Sequence, residues 1–350
     1  MVYIRTDANR EIATGHVMRC LTIADELKRQ RVDVCFVVSD DESVLLIREK
    51  EYPVLVMQDM WSEPDIEKEY SFFCERAEKQ DIFLVDSYYV TNQYINKFKS
   101  LFRIMVFDDL FLEKKDADIL INYNVFYRRY DYATRYCNSD CKLLLGEKYV
   151  PLRMQFQEIE KRVCVRDYDK ADVLLICGGG DRQNMILGVL GWMLQKEKKI
   201  FYQCNWKVVM GGYYPNKDEL IHLANQYENI EIFENISNMA EMMNRCDLCI
   251  SAASTVLYEC CAMMLPTMFF VVSEDQIYDA EEFCKNGMMI YCGSYLTEKE
   301  QTLKCLGENM KLLLDDRHKQ KYMKDKMYNF LDVDGAKRIV ETILQLQNMR

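Results

Sequence analysis

The sequence predicts an α/β protein of two doubly wound, Rossmann-like domains, each a parallel sheet covered on both faces by helices. Three observations predict it. The chain has 350 residues, 49% of them hydrophobic, which exceeds one typical domain and suffices for two cores. Short, nearly continuous apolar runs alternate with helical segments, the pattern of strands buried on both faces. Turns of small residues lead from strands into helices, as at Gly178-Gly-Gly and Ala252-Ala-Ser. The expected domains are 1–150 and 151–335, with a C-terminal helix over 336–350 able to cross back to the first.

In the first half, Val2 and Ile4 open a strand, and Gly15 permits a backbone conformation closed to other residues. Val17, Leu21, Ala24 and Leu27 then mark one face of a helix. The alternation continues with a strand over 32–38, a helix over 42–50, a strand over 54–57 and a helix over 65–79. A strand over 82–85, a helix over 91–98, and strands over 104–107, 119–121 and 143–146 complete the domain. The aromatic and basic stretch 126–136 reads as a packed loop at the domain junction, since Arg and Tyr cover apolar surface with their stems and rings.

Ligands of such sheets bind at the carboxyl ends of the strands, which directs attention to Asp7 and the His16 loop, to Asp86-Ser87-Tyr88 and to Asp108-Asp109. His16 stands where a helix begins. Unpaired N–H groups and the positive end of the dipole there favour a neutral imidazole, the form that acts as a base. The other two histidines, His222 and His318, lie in polar helices. Taken alone, the loop fits a histidine that caps or packs a helix start better than it fits a base; the rest of the chain changes that weighting.

The second half repeats the alternation. A strand over 173–177 runs into Gly178-Gly-Gly-Asp181 and a helix from Asn184, a turn whose glycines and helix start suit close approach of an anion such as a diphosphate. Strands over 199–203, 208–210, 230–233, 248–250 and 265–272 alternate with helices over 217–227 and 238–245. At Ser251-Ala-Ala-Ser-Thr-Val-Leu-Tyr-Glu259, the Ser254 and Thr255 hydroxyls either cap a helix or hold a phosphate. Glu259, one turn beyond Thr255, either accepts hydrogen bonds from ribose hydroxyls or is a solvated helix residue. Gln276 stands at the next crevice end. From residue 298 onward the chain is helical and polar.

Composition narrows the function classes. A net charge of −11 and a pI near 5.0 leave no broad basic surface, so nucleic acid is not an expected partner. With neither a signal-like N-terminus nor an apolar run long enough to span a bilayer, the chain is expected to be cytoplasmic, without stable membrane insertion. Its 15 cysteines are expected to be reduced thiols, and Cys246-Asp-Leu-Cys249 reads as core rather than as a redox or zinc pair.

The motifs have a recognisable order. Arg5-x-Asp7, Gly15-His-Val-Met-Arg19, Leu84-Val-Asp-Ser-Tyr88, Phe107-Asp-Asp109, Ile121-Asn122, Gly146-x-x-Tyr149-x-x-Leu-Arg153, Gly178-Gly-Gly-Asp181, Asn238-Met239, Ser254-Thr-x-x-x-Glu259 and Asp275-Gln276 follow one another along the chain. Over almost its whole length to about residue 290, the sequence resembles the UDP-2,4-diacetamido-2,4,6-trideoxy-β-L-altropyranose hydrolases of the pseudaminic acid pathway. Asp275-Gln276 stands where that family has Asn-Gln. The resemblance implies the GT-B architecture, two Rossmann-like domains facing a central cleft. It also implies cleavage of a UDP-sugar to free sugar and UDP by inverting attack of water at the anomeric carbon, with no metal or cofactor. His16 would position or deprotonate the water and Tyr88 would line the sugar pocket. Gly178, Gly179, Gly180, Asp181, Ser254 and Thr255 would lie by the diphosphate and Glu259 on the ribose, while Asp7, Gly15, Arg19, Asp275 and Gln276 would contact the substrate. The alternative is a GT-B glycosyltransferase in which the same histidine deprotonates an acceptor hydroxyl.

Overall fold

The computed structural model describes residues 1–348 except 79, 168, 235, 286 and 329. It forms two compact units, Met1–Arg153 together with the segment from Val333 onward, and Met154–Asp332.

The first unit is a seven-stranded parallel sheet of β1 (Val2–Thr6), β2 (Val34–Val38), β3 (Val54–Val56), β4 (Ile82–Asp86), β5 (Arg103–Phe107), β6 (Ile119–Asn122) and β7 (Lys142–Leu145). Its order is β3-β2-β1-β4-β5-β6-β7, so the winding reverses between β1 and β4. Every residue of β1, β2 and β4 is buried, because helices cover both faces. Phe83, Tyr94, Phe98 and Phe102 stack under the sheet, with Phe73 against them edge-on. The helix Gly15–Arg29 packs against the C-terminal helix Gly335–Asn348, and Arg338 Nη1 donates to the Lys148 carbonyl at 2.8 Å. The last two residues of the expected 336–350 helix lie outside the described residues.

The second unit is a six-stranded parallel sheet of β8 (Ala171–Ile176), β9 (Cys204–Met210), β10 (Ile230–Glu234), β11 (Leu248–Ala252), β12 (Thr267–Val271) and β13 (Ile290–Ser294). The order β10-β9-β8-β11-β12-β13 reverses between β8 and β11. Cys246 and Cys249 are buried thiols, Cys249 with its Sγ 3.6 Å from that of Cys260. No helix among the described residues is long and apolar enough to cross a membrane.

Four local expectations are corrected. The segment expected as a strand over 199–203 is the helix Lys198–Gln203, and β9 starts at Cys204 instead of 208. A run with only two strongly apolar residues does not distinguish period 2 from period 3.6. The helix expected over 65–79 spans Ile66–Cys74, started by Asp65, whose side chain accepts from Lys68 N at 3.1 Å; residue 79 lies outside the described residues. Gly15 does not take a left-handed conformation: Ala13 does, at φ 55°, and Gly15 is the first residue of its helix. The 126–136 stretch, expected as a loop, contains the short helices Tyr127–Arg129 and Tyr132–Arg135, and its Tyr132 and Tyr136 join the aromatic core of the first unit. The strand β13 had no counterpart in the sequence reading.

Candidate active site

In the first unit the switch in strand order puts the loop after β1 beside the end of β4, with Thr6 in register with Asp86. His16, in the first turn of its helix, lies with Nδ1 2.6 Å from Asp86 Oδ1, and both residues are buried. With Nδ1–H donating to the carboxylate, the ring's lone pair sits on Nε2.

Arg19 lies three residues further along the same helical face and locks the carboxylate. Its Nε donates to Asp86 Oδ2 at 2.6 Å and its Nη2 donates to Asp86 Oδ1. Nη2 also donates to Asp109 Oδ2 at 2.7 Å, and Nη1 to Asp109 Oδ1 at 3.2 Å and Tyr123 Oη at 3.0 Å. The guanidinium lies 4.3 Å above the Phe107 ring centre. Burial pushes the Asp86 carboxyl up, but the charge of Arg19 and the hydrogen bonds from Arg19 and His16 outweigh it, so Asp86 is held well below the usual carboxylate range. His16, Asp86 and Asp109 bring ligand atoms within 4.8 Å of one another, close enough to share a metal ion. The cation facing both carboxylates is the Arg19 guanidinium.

Tyr88 sets its ring edge-on to the imidazole, centroids 4.5 Å apart at 90°. His16, Asp86, Tyr88, Asp109, Leu110 and Leu112 all line a surface pocket. A Cβ on Gly15 would meet nothing within 4 Å, so the helix start beside His16 is open.

Two residues expected at the substrate are engaged internally. Asp7 is buried, with Oδ2 2.5 Å from Arg5 Nη1 and Oδ1 accepting from Ser39 N at 2.7 Å; Arg5 in turn pairs with Glu69 at 3.0 Å. A buried guanidinium requires such partners, and Asp7 supplies one. Arg19 likewise spends its N–H groups on Asp86, Asp109 and Tyr123. Sequence reasoning marked Asp86 and Asp109 as crevice positions without a role and missed Tyr123, which carried no local signal.

In the second unit the reversal between β8 and β11 brings the glycine turn to the Ala252-Ala-Ser turn. Gly178 has φ 68°, and a Cβ there would lie 3.7 Å from Ser254 Oγ. Gly179 accepts from Tyr213 N at 3.0 Å through its carbonyl. Gly211, which sequence reasoning missed, permits this packing: a Cβ on it would lie 2.4 Å from the carbonyl oxygens of both Gly178 and Gly179.

Asp181, expected beside the diphosphate, caps the helix Met185–Lys196. Its oxygens accept from Met185 N at 2.7 Å and Ile186 N at 2.8 Å. Burial pushes this carboxyl up despite those bonds. This helix start is therefore already occupied by a side-chain anion, which leaves the Gly178–Gly180 backbone as the part of the turn open to a ligand. Ser254 Oγ accepts weakly from Val256 N at 3.4 Å, Thr255 is exposed, and Glu259 is half-buried one turn on. Beyond β12, Gln276 Oε1 accepts from Val272 N at 3.0 Å and Asp275 is exposed.

Residues 173–342 match the family model for the glycosyltransferase family 28 C-terminal domain. The chain is 28% identical over 295 residues to an uncharacterized protein of Methanocaldococcus jannaschii, a match spanning 81% of this chain and 58% of that protein. It is 28% identical over 273 residues, 77% of this chain and 89% of the relative, to UDP-2,4-diacetamido-2,4,6-trideoxy-beta-L-altropyranose hydrolase of Campylobacter jejuni. Among solved structures, MurG of Acinetobacter baumannii superposes with a TM-score of 0.64 at 13% identity, covering 98% of this chain and 99% of that one. The fold is the GT-B fold of two Rossmann-like domains.

Proposed function

We propose that this chain hydrolyses a UDP-sugar, releasing UDP and free 2,4-diacetamido-2,4,6-trideoxy-L-altrose by attack of water at the anomeric carbon, in nonulosonic (pseudaminic) acid synthesis. The observation that carries the reading is the His16–Asp86 pair: a buried carboxylate, fixed by Arg19, holds Nδ1 and so leaves Nε2 as a proton acceptor on a pocket wall. That is the requirement for a general base. The hydrolase name of the Campylobacter jejuni relative supports the choice of reaction and sugar.

Nε2 of His16 takes a proton from water as the oxygen bonds to the anomeric carbon. The bond from that carbon to the diphosphate oxygen breaks, and UDP leaves with the electron pair. The positive charge gained by His16 is balanced by Asp86. Tyr88 lines the sugar pocket, and the open helix start at Gly15 lets the sugar approach the imidazole. In the second unit, backbone N–H groups of Gly178–Gly180 and the Ser254 and Thr255 hydroxyls receive the diphosphate, and Glu259 accepts from the ribose hydroxyls. Asp275 and Gln276 contact the sugar amides. Asp7, Arg19 and Asp181 act as supports rather than as ligands. No metal or cofactor enters the reaction.

The match to the glycosyltransferase family 28 model supports a second reading, in which His16 deprotonates an acceptor hydroxyl in surface polysaccharide synthesis. Incubating the protein alone with the UDP-sugar in heavy-oxygen water separates the two. Heavy oxygen in the free sugar is the expected result. Heavy oxygen in UDP means attack at phosphorus and removes His16 from its role, and UDP release only on adding an acceptor establishes the transferase.

A further inference from the structure

The loop between β5 and β6 forms part of the His16 pocket and is held in an unfavourable shape. Phe111 has φ 52°, a left-handed conformation that a bulky side chain rarely adopts. The 126–136 stretch grips it. Its ring stacks on Tyr130 at 4.7 Å, packs on Tyr132 at 4.6 Å, and carries the Arg135 guanidinium 3.4 Å above its centre. Arg135 Nη1 donates to the Phe111 carbonyl at 2.6 Å. At the start of the loop, Asp108 accepts from Phe111 N at 3.0 Å and from Tyr132 Oη at 3.2 Å.

The grip has a consequence for the neighbours of Phe111. With its ring drawn into the clamp, Leu110 and Leu112 are left on the pocket side, and Leu112 is 75% exposed. Backbone strain persists where surroundings over-determine it, and it concentrates at ligand sites. Leu110 is 38% and Leu112 75% exposed on the pocket that His16 and Asp109 also line, and an apolar group bound between them would bury that remaining surface.

We propose that Leu110 and Leu112 form a specificity wall that takes a methyl-bearing substituent of the sugar and disfavours the same sugar carrying a hydroxymethyl there. This rests on the UDP-sugar reading. A hydroxyl pressed between the two leucine side chains exchanges water for apolar contact, and apolar walls discriminate by about 10- to 100-fold. Tyr130, Tyr132 and Arg135 are positioning residues that act through Phe111.

The test uses the full chain and two ligands, UDP-2,4-diacetamido-2,4,6-trideoxy-altrose and its 6-hydroxy counterpart, with affinity by calorimetry and UDP release measured in parallel. The wild type is expected to bind the methyl compound at least about tenfold more tightly. In Leu110→Asn/Leu112→Asn that preference falls to near unity through weaker binding of the methyl compound, while affinity for UDP alone is unchanged; Leu112→Met keeps the preference. Unchanged UDP affinity and an unchanged melting curve establish that the variant is folded. Equal affinity of the wild type for the two sugars, or a preference that survives the double substitution, overturns the wall. A methyl preference that is lost in the variant without any UDP release in the wild type supports the wall and refutes the hydrolase reading.

Discussion

Replacing Asp86 by asparagine keeps the shape of the residue and removes the negative charge that orients His16. In the native site, Oδ1 accepts from His16 Nδ1 at 2.6 Å while both oxygens accept from Arg19. An asparagine has one acceptor oxygen, and the Arg19 donors claim it, so its NH₂ group turns to His16 Nδ1. Nδ1 then becomes the acceptor and Nε2 carries the hydrogen, which is the wrong tautomer for a base. Loss of a general base costs about 10²–10⁴ in rate, so kcat for UDP release should fall at least about 100-fold. Affinity for UDP should be unchanged, since its expected contacts lie in the second unit. Arg19 loses a buried charged partner but keeps Asp109 and Tyr123, which places the stability loss at about 2–4 kcal/mol. Because the folded protein holds this carboxyl low, its stabilisation is present above the unfolded value near ~4 and is lost as pH falls below it. The variant's urea midpoint should therefore decline less on acidification than that of the wild type. Retention of more than a tenth of wild-type kcat would refute the tautomer argument, and an unchanged acid limb would refute the pairing.

His16→Ala should lower turnover at least about 100-fold with UDP binding intact by calorimetry, and equal activity would remove His16 from the mechanism. Gly211→Ala should displace the glycine turn, because its new Cβ meets two backbone oxygens at 2.4 Å; the expected result is at least tenfold weaker UDP binding together with a loss of about 1–3 kcal/mol in urea unfolding. Lys324 is buried with Nζ donating to the Arg162 and Met264 carbonyls at 3.1 and 2.9 Å, and burial, reinforced by Arg162, pushes its pKa down from 10.5 to about 8. The unfolded chain thus binds more protons between these values, and stability should rise with pH across that window by roughly 3 kcal/mol from this group. Lys324→Met should abolish that rise, as followed by urea midpoints from pH 8 to 10.

Local features can be read directly along the chain. Buried apolar runs such as Leu84-Val-Asp86 and Val173-Leu-Leu-Ile-Cys177 specify strands, and His16 and Gly178 stand at strand-to-helix turns because the change of period falls there. Strand β13 and the helix Lys198–Gln203 escaped because short runs carry too few residues to define a period. The rest depended on neighbours distant in sequence. Asp7, Arg19 and Asp181 have the residue types of ligand contacts, yet each meets a partner inside the protein first: Arg5, Asp86 and the start of the helix Met185–Lys196. Gly211 became legible only when β9 lay beside β8 and its loop met the glycine turn. Tyr123 and the Phe111 clamp required the β5–β6 loop and the 126–136 stretch to meet. Hydrophobic periodicity acts over one turn or one strand and can be read along the chain, whereas the order of strands in a sheet is a global choice. That order decides which carboxylate faces a buried arginine and which histidine nitrogen a carboxylate holds.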